Sequence, residues 1–239
     1  MSTYVLIHGA WHGAWCWERV VPLLARAGHR VLAPDLPGHG RDRTPVRDVT
    51  LQAYADRVCR VLDEAAEPVV LVGHSMGGTV ITEAAERRPA DVGTLVYVAA
   101  FLLRESETLI QIASADREAL VLPNLVVSED QASATVRPEA IRDAFYGDCA
   151  PEDAARAQSL LVPQALAPFQ TPVRMTPARW GRIPRVYIEC LRDRAISPSV
   201  QRKMYTALPC RKVIAMDTDH SPFYSAPREL ADHLLALAS

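Results

Sequence analysis

Gly73-His74-Ser75-Met76-Gly77 sets a serine between two glycines, each two positions away. The flanks decide what that spacing means. Val69-Val70-Leu71-Val72 before it reads as a buried strand, and Thr79 to Ala85 after it as a buried helix. A tight strand-to-helix turn of the form G-x-S-x-G forces its central residue into a strained conformation and lifts the hydroxyl above the sheet. The helix N-terminus at that point favours developing negative charge. Such a serine suits attack on a carbonyl carbon. A packing turn whose serine merely caps a helix is the plainer alternative.

A serine hydroxyl needs a base to take its proton. Of seven histidines, His220 in "DTDHSPF" follows the last strand and can reach back over the sheet edge. His8 ends the first strand and is expected to order its loop. His12, in that loop, is a candidate to line a pocket, and His74 should point into the packing. His29, His39 and His233 read as surface or turn residues. The base in turn needs a carboxylate to hold its tautomer. Asp193 in "ECLRDRAISP" follows the preceding strand; Asp217 and Asp219 lie too near His220 in sequence to orient its ring easily, and Glu189 lies within the strand. Acyl transfer also needs N–H donors for an oxyanion. One is the backbone of Met76, and the loop "HGAWHGAW" should give the other, since small Gly9 and Ala10 let its backbone come close.

These groups need a frame that gathers them. Strands are predicted over 3–8, 30–33, 69–73, 92–99, 185–190 and 211–216, near-continuous in apolar character. Helices are predicted up to Ala27, from a Thr50 cap onward, over 76–87, over 197–207 and over about 227–238. That alternation implies a parallel sheet covered on both faces, with its ligand site outside the carboxyl ends of the strands. Every candidate follows a strand, so all can share one edge. Residues 101–180 break the rhythm: seven prolines and no clean strand read as short helices and loops, an insertion that keeps its apolar residues.

The 239 residues suit one domain, with 101–180 as an insertion in it. A net charge of −2 leaves no basic excess for phosphates, which argues against nucleic acid. Five widely spaced cysteines without C-x-x-C read as reduced thiols, and no His/Cys cluster has metal-ligand spacing. No apolar run reaches a membrane span, and Met1-Ser2-Thr3 runs into Tyr4 with no basic flank, so a cytoplasmic protein without a signal peptide is expected.

The chain resembles the α/β-hydrolases, in particular the branch of plant methylesterases, hydroxynitrile lyases and bacterial esterase relatives. The matching stretches are "VLIHGAWHGAWCWERVVPLL", "VLAPDLPGHGRD", "LVGHSMGGTV", "RVYIECLRDRAISPSVQ" and "DTDHSPFYSAPREL". The resemblance implies about six mostly parallel strands flanked by helices, with a small helical cap insertion. It implies a catalytic triad of Ser75, Asp193 and His220 and an oxyanion hole from the N–H groups of Ala10 and Met76. Lyases of the branch resemble a pattern with threonine after the first motif histidine and lysine after the catalytic one; here these positions are Gly9 and Ser221, which fits the esterase pattern.

A pocket is expected around Gly9, Trp11, His12, Phe145, Tyr146, Phe169 and Ser221, although Ser221 is also placed to start a turn before Pro222. Phe101, Leu102, Leu160, Leu161 and Trp180 are further apolar candidates. The expected function is a serine carboxylesterase acting through an acyl-enzyme on an ester of a small to medium apolar or aromatic substrate. It needs no cofactor and no metal; neither nucleic acid nor a membrane is a partner. Dimers are common among similar proteins, so a homodimer is an expectation of the resemblance alone. The alternatives are C–C or C–CN cleavage, a polyketide-tailoring step, or ligand binding on the same scaffold.

Overall fold

The computed structural model describes residues 1–237. Its centre is a six-stranded parallel sheet. In chain order the elements begin with β1 (Thr3–Ile7), α1 (Val21–Arg26), β2 (Arg30–Leu32), α2 (Leu51–Leu62), β3 (Val69–His74), α3 (Gly77–Arg87) and β4 (Val92–Val98). The segment after β4 holds α4 (Leu109–Ala115), β5 (Leu125–Val127), β6 (Ser133–Val136), α5 (Pro138–Phe145), α6 (Pro151–Leu160), β7 (Gln164–Ala165) and α7 (Ala167–Gln170). The chain then returns to the sheet with β8 (Arg185–Cys190), α8 (Pro198–Ala207), β9 (Lys212–Met216), α9 (Pro222–Ser225) and α10 (Pro227–Leu235).

The strand order is β2-β1-β3-β4-β8-β9. Every residue of β3, and all of β1 after Thr3, is buried, which is what both faces covered by helices requires. The helices supply one apolar stripe each. In α2, Leu51, Tyr54, Ala55, Val58, Val61 and Leu62 are buried, and the Thr50 side chain caps the helix by accepting from Ala53 N. Tyr4 donates its hydroxyl proton to Leu234 O at 2.9 Å, joining α10 to β1.

The sheet positions the site through its direction reversal. From β1 the chain moves outward to β2, then crosses back to β3 on the other side. The crevice between β1 and β3 is therefore the switch point at which such sheets hold ligands. Pairing of Ile7 with Gly73, His74 with Val98, Val98 with Ile188 and Cys190 with Met216 aligns the strand ends. The residues after each end thus emerge at one edge.

Three expectations need correction. The run ending at Ala27 is not one helix: a 3-10 turn at Ala14–Trp17 precedes a short α1 with Pro22 in its first turn, where a missing N–H costs nothing but cannot continue a preceding helix. The last helix ends at Leu235, and residue 238 of the expected span lies outside the described residues. The segment between β4 and β8 is not only helical, because β5, β6 and β7 form a three-stranded antiparallel sheet. That segment is sewn to the core close to the site. Trp11 Nε1 donates to Ala134 O at 2.9 Å, and Val162 N donates to Trp11 O at 3.0 Å. Ser197 N donates to Asp116 Oδ2 at 2.8 Å. Arg156 pairs with Glu18, and Arg19 with Asp153.

Candidate active site

Ser75 sits at the top of β3 with φ of +55°, a left-handed backbone that a non-glycine residue holds at a cost of roughly 1–3 kcal/mol. Hydrogen bonds fix it there. Ser75 N donates to Val98 O at 3.3 Å, and Ser75 O accepts from Gly78 N at 3.0 Å and Phe101 N at 3.1 Å. The motif glycines are needed for close approach. A Cβ at Gly73 would lie 2.6 Å from Gly77 O, and one at Gly77 would lie 2.8 Å from Ile7 O and 2.9 Å from His8 O. Both obstacles are backbone and cannot swing aside. Gly77→Ala is therefore expected to destabilise the protein by about 1–3 kcal/mol, read as a lowered urea midpoint at unchanged slope.

His220 and Asp193 meet at the same edge. His220 Nδ1 donates to Asp193 Oδ2 at 2.7 Å, and both side chains are buried. Asp193 Oδ1 accepts from Ala195 N at 2.7 Å and Ile196 N at 2.9 Å. Its rivals are engaged elsewhere. Asp219 accepts from Asp148 N, Ser221 N and the Ser225 hydroxyl, and burial pushes its carboxyl up. Asp217 is an exposed partner of Arg192, and Glu189 pairs with Arg202 at 2.8 Å. With Nδ1 committed, His220 Nε2 is the nitrogen left to exchange a proton. Among the described residues no hydrogen bond closes the gap from Ser75 Oγ to that nitrogen.

Two backbone N–H groups flank Ser75 and have no acceptor among the described residues: Ala10 and Met76. Histidines aim the first loop. His8 Nδ1 donates to Gly9 O at 2.8 Å, while His8 Nε2 accepts from Leu36 N at 3.1 Å. In a planar trans peptide the carbonyl and the following N–H point opposite ways, so holding Gly9 O fixes the direction of Ala10 N–H. His12 Nδ1 donates to Ala10 O at 2.7 Å and its Nε2 accepts from the Tyr146 hydroxyl at 2.7 Å. Burial holds His8 well below the usual histidine range and His12 down at about 3, so both stay neutral. His74 is likewise held well below by burial and by His220, and it donates from Nε2 to His220 O at 2.8 Å.

Beside Ser75 lies a largely apolar cleft. Of the sequence candidates, Trp11, Phe101, Phe145 and Phe169 line it, together with Leu109, Val121 and Ile196. The Phe145 ring stands 5.8 Å from that of His220, centroid to centroid. Four anticipated lining residues do not reach the cleft. A Cβ at Gly9 would touch Ser75 Cβ at 2.8 Å, so Gly9 makes room for Ser75 instead. His12 and Tyr146 bond to each other behind the wall. Ser221 is fully buried and leads into α9. Leu102, Leu160, Leu161 and Trp180 are also absent from the lining; Trp180 Nε1 donates to the Tyr97 hydroxyl at 3.0 Å.

Residues 4–233 match the model of the Alpha/beta hydrolase family. This chain belongs to that family. The α/β-hydrolase is 34% identical to Methylesterase 9 of Arabidopsis thaliana, covering 100% of this chain and 98% of the relative. It is also 34% identical to the Pyrethroid hydrolase of Sphingobium wenxiniae, over 100% of this chain and 88% of that one. A solved pyrethroid hydrolase structure superposes with a TM-score of 0.90 at 32% identity, covering 98% of this chain and 96% of the other. Its place in the family is the methylesterase-like branch. One buried polar side chain beside Asp193, that of Gln201, escaped the sequence reading. The grip of His8 on Gly9 O is foreshadowed only by the loop-ordering part expected of that histidine. Gln201, fully buried on α8, has no sequence signal, since glutamine is ordinary on a helix.

Proposed function

We propose that this carboxylic ester hydrolase works through Ser75, His220 and Asp193, with the N–H groups of Ala10 and Met76 as its oxyanion hole. Ser75 Oγ attacks the ester carbonyl carbon while His220 Nε2 takes its proton. The two N–H groups receive the oxyanion. As the intermediate collapses, His220 returns the proton to the leaving alcohol and an ester bond to Ser75 remains. Water then attacks that acyl group, with His220 again as base, and the acid departs. Asp193 stabilises the imidazolium each time.

The observation that carries this reading is the His220–Asp193 hydrogen bond beside a left-handed serine flanked by two unpartnered N–H groups. Catalytic hydrogen bonds are often loose in free enzymes and tighten with substrate, so the open Ser75–His220 link is compatible with it. The substrate is a neutral ester of a small to medium apolar or aromatic acid, since Ser75 is the one polar side chain among the cleft residues and aromatic rings form its walls. In this reading residues 101–180 are a cap over the site, inserted in a single domain. Five free thiols support a reducing compartment such as the cytoplasm. The partner is a small-molecule ester.

A fluorophosphonate probe tests the nucleophile. It should block hydrolysis of a p-nitrophenyl ester with one adduct per chain, and peptide mass spectrometry should find the adduct on Ser75. An adduct on another residue, or full activity in labelled protein, would overturn the assignment.

A further inference from the structure

Gln201 lies on the first turns of α8 and is fully buried. A primary amide away from water is costly unless its donors and acceptor are met. Here they are met entirely by the segment that carries Asp193. Gln201 Oε1 accepts from Cys190 N at 3.2 Å, at the end of β8. Gln201 Nε2 donates to Ile196 O at 2.8 Å and to Asp193 Oδ2 at 3.0 Å. The last contact is the informative one, because Oδ2 is also the oxygen that receives His220 Nδ1–H.

Asp193 thus accepts four N–H groups, two on each oxygen. The backbone of Ala195 and Ile196 pins Oδ1 and leaves the carboxylate free to rock about that anchor. Gln201 Nε2 occupies one lone pair of Oδ2 and removes that freedom, which directs the other lone pair at His220. The amide is in turn seated by α8, whose Ser197 side chain caps it through Val200 N and whose Ser197 N–H reaches Asp116 Oδ2. A buried apolar side chain of the same length would fill the space but leave Oδ2 a donor short.

We propose that Gln201 is a positioning residue for the reaction: it fixes the carboxylate plane of Asp193 and thereby the ring of His220. The proposal rests on the Ser75–His220–Asp193 reading. It assigns Gln201 no contact with substrate, so its loss should appear in kcat and leave KM nearly alone.

The test uses the full chain and p-nitrophenyl butyrate. Gln201→Met removes the donors at similar volume. Gln201→Glu keeps the volume and the acceptor for Cys190 N–H but sets an oxygen against Asp193 Oδ2. Each should lower kcat by about 10- to 100-fold with KM changed by no more than about twofold. On an Asp193→Ala background, Gln201→Met should lower kcat by less than about twofold further, because the group it positions is gone. Should Gln201→Met not fold, Gln201→Glu carries the same comparison. A folded variant with wild-type kcat, or an equal loss on the Asp193→Ala background, would overturn the proposal. An active Ser75→Ala protein would instead end the triad reading, so the two failures are told apart.

Discussion

Replacing Ser75 with alanine should reduce kcat/KM for a p-nitrophenyl or methyl ester by about 10⁴-fold or more while the protein stays folded. The size follows from the chemistry. Alanine at 75 leaves the cleft, the two N–H groups of Ala10 and Met76, and the Asp193–His220 pair in place. Under the proposed mechanism, what goes is the atom that forms the acyl bond, so only unactivated water attack remains. The folding cost is small because the Ser75 hydroxyl has no hydrogen-bond partner among the described residues to lose. Alanine also tolerates the left-handed backbone about as poorly as serine does. Thermal unfolding should therefore shift little. Circular dichroism melts beside progress curves at high enzyme concentration make the check. A Ser75→Ala protein retaining a tenth of wild-type turnover would end the assignment of Ser75 as nucleophile.

The parts of this site visible in the sequence share one property: each is dictated by local backbone geometry. A glycine-serine-glycine turn after a valine run can only sit where strand meets helix, so Ser75 was legible, and so was Met76 beside it. His220 and Asp193 were legible because acidic and basic residues just past a buried strand must emerge at the sheet edge. The inner strands β1 and β3 were legible because burial on both faces leaves them almost uniformly apolar. Residues whose part depends on tertiary contact were not. Tyr146 looked like a wall of the pocket, and its hydroxyl instead meets His12 behind that wall. Gly9 looked like open floor, and its missing Cβ is the space that Ser75 fills. The small sheet between β4 and β8 escaped because its strands run three, four and two residues, too short to display a period of two. Its β5 strand even exposes Val126 and Val127, which reverses the usual cue. Gln201 is the extreme case: its side-chain bonds to Cys190, Asp193 and Ile196 define it, and none is local enough to leave a pattern.

Those buried histidines set the second large effect, a loss of stability in mild acid. Burial pushes the pKa of His12 down from the ordinary histidine value of about 6.5 to about 3. In the unfolded chain it titrates near the ordinary value. Between those two pH values the unfolded state holds a proton that the folded state does not, so unfolding takes up protons and stability falls as pH falls. The contribution is fully present above pH 6.5 and is lost progressively toward pH 3. From pH 6.5 to pH 5 His12 alone accounts for about 2 kcal/mol. His8 and His74, both held well below the ordinary range by burial, act in the same direction over the same acid range, and His39 adds to them. Burial raises the carboxyls of Glu83 and Asp219, and these act in the opposite sense. The unfolded chain's histidines take up their protons near pH 6.5, well above the ordinary carboxyl range, so the histidines set the trend between pH 7 and pH 5. Against a typical total of about 5–15 kcal/mol, that makes the protein acid-labile well above the carboxylate range. The melting temperature should drop steeply between pH 7 and pH 5. His12→Asn keeps a donor near Ala10 O and removes the titrating ring, so its melting temperature should vary less with pH than that of wild type. Parallel melting curves for the two proteins, or a wild-type melting temperature flat from pH 7 to pH 5, would show that these imidazoles are not held neutral by the fold.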